Sequence, residues 1–408
     1  MKVWYLSAYD QPGGQSTRTH DYCRELVLRG HEVTFFTNSF CHFKHTERLR
    51  ADERWRIEKV DGIRVVWLKT RSYKGNGTGR GLNMLDNAIR ILQASKILGD
   101  KPEVVLGPSV PILTGWAGAV LASRYRAPFI FEVRDVWPDA LVDIGGLSSR
   151  SPVFYVFRYI EKMLYRRAER ISSTLPYLSE HVANSGSDPA KIVYLPNGID
   201  LTSYARDESY DGGEGRQLVV MYVGGFGLDH DVITIIQAAK LLQDAGDTAF
   251  RFIVIGGGAR KSEIESLVQG YKLSNLELRE PIPKASIPEI QRGADILVAA
   301  ITDSSSYRFG LNLNKLCAYF ASGRPVLLSG NPPNDPVRDS GAGLSVAAED
   351  PVAMAAGLRE LLARGSTARI EMGERGRQYA QTMLSMESLG ARMEDMLAAS
   401  IKDYKERS

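Results

Sequence analysis

"LVVMYVGGFGLDHD", Leu218 to Asp231, reads as a strand that runs straight into a glycine-rich turn. A continuous apolar run rich in valine suits a strand covered on both faces, as in a parallel sheet, better than the alternation of a half-exposed one. The same order recurs downstream. "RFIVIGGG" (251–258), "LELRE" (276–280), "ADILVAA" (294–300) and "PVLLSG" (325–330) each follow a helical stretch. Strand, helix and strand in repeated succession imply right-handed crossovers and a doubly wound sheet.

Upstream, the polar "YDGGEGRQ", Tyr210 to Gln217, reads as a linker. Before it the pattern appears once already: "KVWYLSAY" (2–9), "HEVTFFT" (31–37), "IRVVWL" (63–68), "EVVLG" (103–107), "PFIFEV" (128–133) and "KIVYLP" (191–196). Between the first two lies "THDYCRELVLRG", a helix with Tyr22, Leu26 and Val27 on one face and Gly30 suited to its C-terminal cap. Helical stretches from "PVAMAAGLRELLA" to "MESLGARMEDMLAASI" close the chain. The expected fold class is therefore α/β, with two Rossmann-like doubly wound parallel sheets in series. Ligands of such sheets sit beyond the carboxyl ends of the strands, so two facing domains would leave a cleft between those edges.

The totals agree with a soluble multidomain protein. Of 408 residues, 44% are hydrophobic and 24% charged, which disfavours disorder and fibre. A formal net charge of +3 is too small to argue for nucleic acid. Three cysteines, Cys23, Cys41 and Cys317, lie far apart and fit a reducing compartment without a zinc site. The N-terminal apolar run is too short for a signal sequence, and no apolar stretch is long enough to span a bilayer. A cytoplasmic location is expected, with contact at a membrane surface left open.

Four glycine- or amide-rich strand ends can handle phosphate. Gly13 and Gly14 stand between the first strand and first helix, where open backbone amides favour an anion; a tight turn is the plainer reading. No G-x-G-x-x-G is present there, against an ordinary dinucleotide enzyme. Gly225 and His230 occupy the same place in the second half. Arg260 and Lys261 follow "IGGG" and can neutralise a pyrophosphate, or simply face solvent. In "FGLNLNKLCAYFASG", Phe309 to Gly323, Asn312 or Asn314 can cap a helix whose amides, with Lys315, face an anion. A capped helix with a solvated lysine is the alternative.

The ordered set of motifs resembles the family-four retaining glycosyltransferases of the GT-B fold. It runs from Gly13-Gly14 through "FEVRDVWPDAL" (131–141), "LPNGID" (195–200), "YVGGFGLDHD", "IGGG" and "LREPIPKASIPEIQRGADILVAA" to "NKLCAYFASGRPVLLSG", and so covers nearly the whole chain. "EVRDVWP" and "NKL…YFASGRPV" are most similar to the bacterial N-acetylfucosamine and amino-sugar transferases of O-antigen and capsule synthesis. The resemblance implies an acceptor-binding domain over 1–205 and a nucleotide-sugar-binding domain over 206–385. It also implies a helix over 386–408 that packs back toward the first domain.

It further implies a nucleotide-sugar co-substrate, UDP-linked, with no cofactor and no metal. Transfer to a glycan or polyprenyl-diphosphate-linked acceptor would retain anomeric configuration by front-face attack. Helix amides and basic side chains would take the diphosphate charge. Asp135 would orient the sugar or acceptor, Arg134 would contact phosphate, and Glu132 is a candidate general base; an ion-paired strand end is the alternative for all three. Pro281 and Ile282 lie where relatives read the base.

This chain departs from the family pattern where many relatives carry an acidic pair at the last motif. Counting back from Pro325 places that pair on Gly310 and Ala318; aligning on "FGL" places it on Tyr307 and Lys315. Neither alignment restores a carboxylate, so the donor loop reads as Tyr307, Gly310, Leu311, Asn312, Asn314, Lys315 and Ala318 with an incomplete ribose clamp. A charged hydrogen bond to ribose is worth about 1.5–3 kcal/mol. The Arg and Lys common near the diphosphate correspond to Gly225 and His230, and a His of the first domain to Arg134.

"YVFRYIEKMLYRRAERI" (155–171) and "RSYKGNGTGRGLNMLDNAIRIL" (71–92) are basic and amphipathic. Either can rest on anionic lipid, or pack on the sheet with its charges in water. Two other functions fit the same architecture: a UDP-N-acetylglucosamine 2-epimerase, and a degenerate nucleotide-sugar-binding protein without catalysis.

Overall fold

The computed structural model describes residues 1–14, 17–42, 44–75, 77–143 and 146–407. The chain forms two compact units, Met1–Pro196 with Met386–Ser408, and Asn197–Ser385.

The first unit begins with β1 (Lys2–Leu6), α1 (Arg18–Leu28), β2 (Glu32–Asn38) and a small hairpin of β3 (Phe40–Cys41) and β4 (Thr46–Glu47). There follow β5 (Trp55–Val60), β6 (Ile63–Leu68), α2 (Thr78–Ala94), β7 (Val104–Pro108), α3 (Ile112–Tyr125) and β8 (Phe129–Val133). The stretch closes with α4 (Asp139–Asp143), α5 (Pro152–Arg167), β9 (Arg170–Ser173), α6 (Ser179–Asn184) and β10 (Ile192–Tyr194). Its sheet has the order β10-β9-β8-β7-β1-β2-β6-β5. All pairs are parallel except β5 on β6, which is antiparallel and joined through Asp61 and Gly62 in left-handed conformation. The edge strand β5 alternates half-buried with exposed residues, whereas β1, β7 and β8 are almost wholly buried.

The second unit contains β11 (Leu218–Gly225), α7 (Val232–Asp244), β12 (Phe250–Gly257), α8 (Lys261–Tyr271), β13 (Leu276–Arg279), α9 (Ile287–Arg292) and β14 (Ile296–Ala300). It continues with α10 (Asn314–Ser322), β15 (Val326–Ser329), α11 (Pro336–Ser340), β16 (Gly343–Val346), α12 (Pro351–Ala363) and α13 (Gly365–Tyr379). Its all-parallel sheet has the order β13-β12-β11-β14-β15-β16. One core lies under α7 and α12, around Ile236, Phe252 and Leu358, and another under α10, around Met221, Leu297 and Tyr319.

The division falls between Pro196 and Asn197, ahead of the expected 205/206. Residues 197–205 pack with the second unit: Ile199 bridges Ser385, and Tyr204 is buried in the α10 core. The last helix, α14 (Met386–Arg407), belongs to the first unit. Its Leu389, Met393 and Leu397 join the core of Tyr22 and Leu26 on α1, and Glu394 holds both Arg29 and His31. Among the described residues no helix is long and apolar enough to cross a membrane.

Candidate functional site

In the second unit the strand order reverses between β11 and β14: β12 lies on one side of β11 and β14 on the other. Loops leaving two such strands diverge and open a crevice at their carboxyl ends, where α/β sheets bind ligands. Several residues singled out in the second half of the sequence, Gly225, His230, Tyr307 and Lys315 among them, lie around this point.

Lys315, in the first turn of α10, reaches back to the end of β11. Its Nζ donates to the Tyr222 hydroxyl at 2.7 Å and lies 4.3 Å from the centre of that ring. Tyr222 in turn donates to the Gly225 carbonyl at 2.7 Å. Gly224 makes room for the amine: a Cβ there would stand 2.9 Å from Nζ. Burial holds the pKa of Lys315 down to about 7, against the pull of Asp229. The amine is therefore poised between its charged and neutral forms at neutral pH.

The helix behind it is not capped as the sequence led us to expect. Leu313 is the N-cap residue and no side chain caps α10, so neither Asn312 nor Asn314 has that role. Asn314 is the exposed first residue of the helix. Asn312 instead accepts the Asn197 amide at 3.1 Å, tying the loop to the start of the unit. Gly310 turns the loop with φ +116°, a conformation side chains resist. Buried Leu311 is clamped by Asn334, which accepts from its N–H at 2.5 Å and donates to its carbonyl at 3.2 Å. Tyr319, one turn beyond Lys315, bonds the Val223 backbone and fixes α10 to β11.

Across the crevice, Tyr307 donates to the Asp229 carbonyl at 3.1 Å, joining the loops after β11 and β14. His230 forms a bridge to Ile301 there. Burial, with Lys315 beside it, lowers the His230 pKa to about 4, so the imidazole is neutral at pH 7. Its Nδ1 is buried without a hydrogen-bond partner. Asp231, next in the chain, caps α7 by accepting the Thr234 amide. Gly225 is exposed at the strand tip. Its neighbour in the pairing, Gly257, lies against Pro281, and a Cβ on Gly257 would meet that ring at 2.9 Å. Ile282 packs on the α10 core.

Arg260 and Lys261, expected either to neutralise a pyrophosphate or to face solvent, are paired at the surface. Arg260 turns onto Glu263 of its own helix with bonds of 2.8 and 3.0 Å. Lys261 is held by both oxygens of Glu280 at 2.6 and 2.7 Å. Both cations sit in exposed surface pairs, whereas Lys315 is turned to the glycine strand end. Ala318 is buried at 9% exposure on the inner face of α10, one turn from Lys315. With Gly310 in a turn and Ala318 in the core, no carboxylate stands at either place.

The first unit reverses its strand order between β1 and β7, and a buried ionic cluster fills that point. Glu132, at the end of β8, is 0% exposed. One of its oxygens accepts from Tyr5 Oη at 2.7 Å and Arg18 Nε at 2.9 Å. The other accepts from Arg134 Nε at 3.0 Å and Nη2 at 2.8 Å. Arg134 also donates to Asp10 at 2.7 Å and Thr19 at 2.5 Å, while Arg18 caps the carbonyls of Leu195 and Pro196. Burial pushes the Glu132 pKa up, but the two guanidiniums and the hydrogen bonds bring it below the usual carboxylate value. A carboxylate with both oxygens occupied and no exposure is not placed to take a proton from a substrate. Glu132 thus orders the strand end, and Arg134 spends its donors on protein partners rather than standing open to phosphate.

Asp135, by contrast, is exposed, with its backbone carbonyl held by Ser109 Oγ at 2.8 Å. Gly13 takes φ +66° with open space around it, and Gly14 closes a turn onto Gln11. Asp10 anchors this loop: it accepts from the Thr19 amide at 2.9 Å, and its own carbonyl accepts from Thr37. The sequence reading had passed over Asp10, Arg18, Tyr222, Tyr319 and Asn334. Only Asp10 carried a local signal, as a carboxylate just before a glycine turn and helix start.

Residues 13–198 match the family model for a glycosyl transferase 4-like domain, and residues 217–364 that for glycosyl transferases group 1. The D-inositol 3-phosphate glycosyltransferase of Kineococcus radiotolerans is 24% identical over 416 residues, covering 93% of this chain and 91% of that protein. Among solved structures, sucrose-phosphate synthase from Thermosynechococcus elongatus superposes with a TM-score of 0.76 at 17% identity, covering 98% of this chain and 99% of that one. Anabaena HepE in complex with UDP gives 0.70 at 13% identity, covering 98% and 100%. With two doubly wound units and these matches in order along it, the chain is a GT-B protein made of a glycosyl transferase 4-like domain followed by a group 1 glycosyl transferase domain.

Proposed function

We propose that the chain is a retaining, metal-independent glycosyltransferase of bacterial O-antigen or capsule synthesis, similar to the N-acetylfucosamine transferase subgroup. It moves an N-acetylated amino sugar from a UDP-linked donor to a glycan or polyprenyl-diphosphate-linked acceptor, working at the inner face of the cytoplasmic membrane. The observation that carries the reading is Lys315: a half-buried amine set against Gly224 at the switch point of the second sheet, beside a helix start that no side chain caps. Neutral His230 adds a hydrogen-bond donor or acceptor on the other side. UDP bound to the structurally similar HepE supports the choice of base.

In this reading the bond from the sugar's anomeric carbon to the diphosphate breaks with its electron pair going to phosphate. The α10 amides and Lys315 stabilise the charge that develops there. The acceptor oxygen bonds to the same face of that carbon, and its proton leaves with the diphosphate oxygen. Exposed Asp135 is the first unit's candidate for orienting the acceptor. Pro281 and Ile282, at the end of β13, border the space for the base.

A thermal-shift screen of UDP-, GDP-, dTDP- and ADP-sugars tests the donor, because a ligand of the native state raises apparent stability by mass action. UDP-sugars alone are expected to shift the transition, with turnover unaffected by EDTA. Selective stabilisation by another nucleotide, or reversible loss of turnover in EDTA, would sink this reading. The missing carboxylate favours one second reading, a binding protein without catalysis; UDP affinity with no transfer over a broad donor and acceptor panel would establish it. Incubation with UDP-N-acetylglucosamine alone is expected to give no epimer.

Ala318→Glu puts an acid at the edge of the α10 core, one turn from Lys315, and is expected to lower stability unless a ligand satisfies it. If ribose lies on this helix, donor binding tightens about tenfold, the value of one charge-assisted hydrogen bond at the low end. Unchanged affinity by calorimetry would move ribose off this face.

A further inference from the structure

One side of the first unit's sheet is covered by a helical layer in which α3 packs on β7 and β8, with α2 and α5 against it. The outward side of this layer is apolar. On α5, Val153, Tyr155, Val156 and Tyr159 are 47%, 63%, 55% and 73% exposed. On α2, Leu82, Leu85 and Ile89 are 45%, 45% and 42% exposed. Residues at positions 82, 85 and 89, or 155, 156 and 159, follow helical spacing, so each set is a stripe along one side of its helix. Half-buried Leu113, Trp116 and Val120 make a third stripe on α3 between them. Scattered surface apolar residues need no explanation, but aligned stripes on adjoining helices do.

Basic side chains outnumber acidic ones on this layer, and each carboxylate on its helices is paired. The only carboxylate of α5, Glu161, is buried and held by Arg158 and His181. That of α2, Asp86, is paired with Arg71, and α3 has none. The outward arc of α5 keeps Lys162, Arg166 and Arg167. The latter two also line a cavity of about 490 Å³ with Arg170, Lys191 and Arg407, where five basic side chains face two carboxylates, Glu169 and Asp188, and leave a net positive charge past the helix end.

We propose that the outer face of α2, α3 and α5 docks on an anionic lipid bilayer. Tyr155, Tyr159 and the aliphatic stripes enter the headgroup region, where amphipathic rings are favoured, and Lys162, Arg166 and Arg167 meet the lipid phosphates. A face on which basic side chains outnumber carboxylates, with Asp86 paired to Arg71 and Glu161 buried, suits a negative surface better than a neutral protein partner. The inference deepens the proposed membrane contact, yet its test uses no sugar substrate, so its failure leaves the transferase reading standing.

The test is sedimentation of the full chain with vesicles of phosphatidylcholine, alone or mixed with phosphatidylglycerol. The chain is expected to partition to the mixed vesicles and to be released by salt. Tyr155→Ser with Tyr159→Ser, and separately Arg166→Glu with Arg167→Glu, should each lower the partition about tenfold or more. Thermal unfolding should not change, since these side chains are exposed. Equal partition of both variants and the parent, or no partition at all, overturns the proposal. So does a dimer, seen by light scattering, that the tyrosine substitutions dissociate, because a second copy then covers this face.

Discussion

Replacing Lys315 by methionine is expected to weaken UDP-sugar binding roughly 10- to 150-fold below pH 7, the range of one charge-assisted hydrogen bond. Methionine keeps the length and apolar stem while removing the ammonium. The stronger signature is pH dependence. Burial holds the free amine to about pH 7, and a bound diphosphate favours its protonated form and so raises that value. Below pH 7 the amine is already charged, and affinity is flat. Above it, binding must take up a proton, and affinity falls up to tenfold per pH unit until the pKa of the complex is reached.

A UDP-sugar is the right ligand, since its diphosphate does not titrate in this window. Calorimetry in buffers of different ionisation enthalpy reads the proton directly. Lys315→Met should abolish both the uptake and the slope, and Gly224→Ala, which puts a Cβ 2.9 Å from Nζ, should reproduce part of the loss. The methionine variant is not expected to be less stable, because it no longer buries a charge. A parent protein without proton uptake, or a variant with the parent's slope, would remove Lys315 from the diphosphate.

The position of Lys315 was legible in the sequence because a lysine in the first turn of a helix, after an amide-bearing loop with little acid nearby, has few places to point. Its partner was not. Tyr222 lies 93 positions away on β11, and only the sheet brings the two together. The parallel sheets were legible for the opposite reason, that strands buried on both faces print their burial as unbroken apolar runs. β5, which pairs at the edge and alternates, went unread, as did the short β9 and β16. Arg260 was half readable: Glu263 stands three residues on, a spacing that pairs side chains on a helix. Glu280, the partner of Lys261, lies just past the end of the neighbouring strand β13 and left no local trace. Asn312 misled because a side-chain amide before a helix is so often its cap; here the loop spends it on Asn197.

Glu132→Ala is expected to cost the first unit about 3–5 kcal/mol, the usual result of removing one partner from a buried ion pair. Tyr5, Arg18 and Arg134 would be left facing an uncharged void, and Arg134 would keep Asp10 and the Thr19 hydroxyl as partners. At about 2–4 °C per kcal/mol for a unit of this size, the transition should fall by roughly 10 °C. Glu132→Gln should lose nearly as much, since its amide would present donors to guanidiniums that need acceptors.

The sign of the pH effect follows from the same geometry. The pKa of Glu132 lies below its ordinary value in the folded unit, so its contribution is present above the unfolded-state pKa and is lost as pH falls through the folded one. The gap between parent and variant should therefore close in acid. UDP-sugar affinity of the folded variant should stay at the parent's value, because Lys315, the amine proposed to meet the diphosphate, lies in the other unit. A general base would behave differently: Glu132→Gln would then fold as well as the parent, bind donor equally, and lose turnover alone.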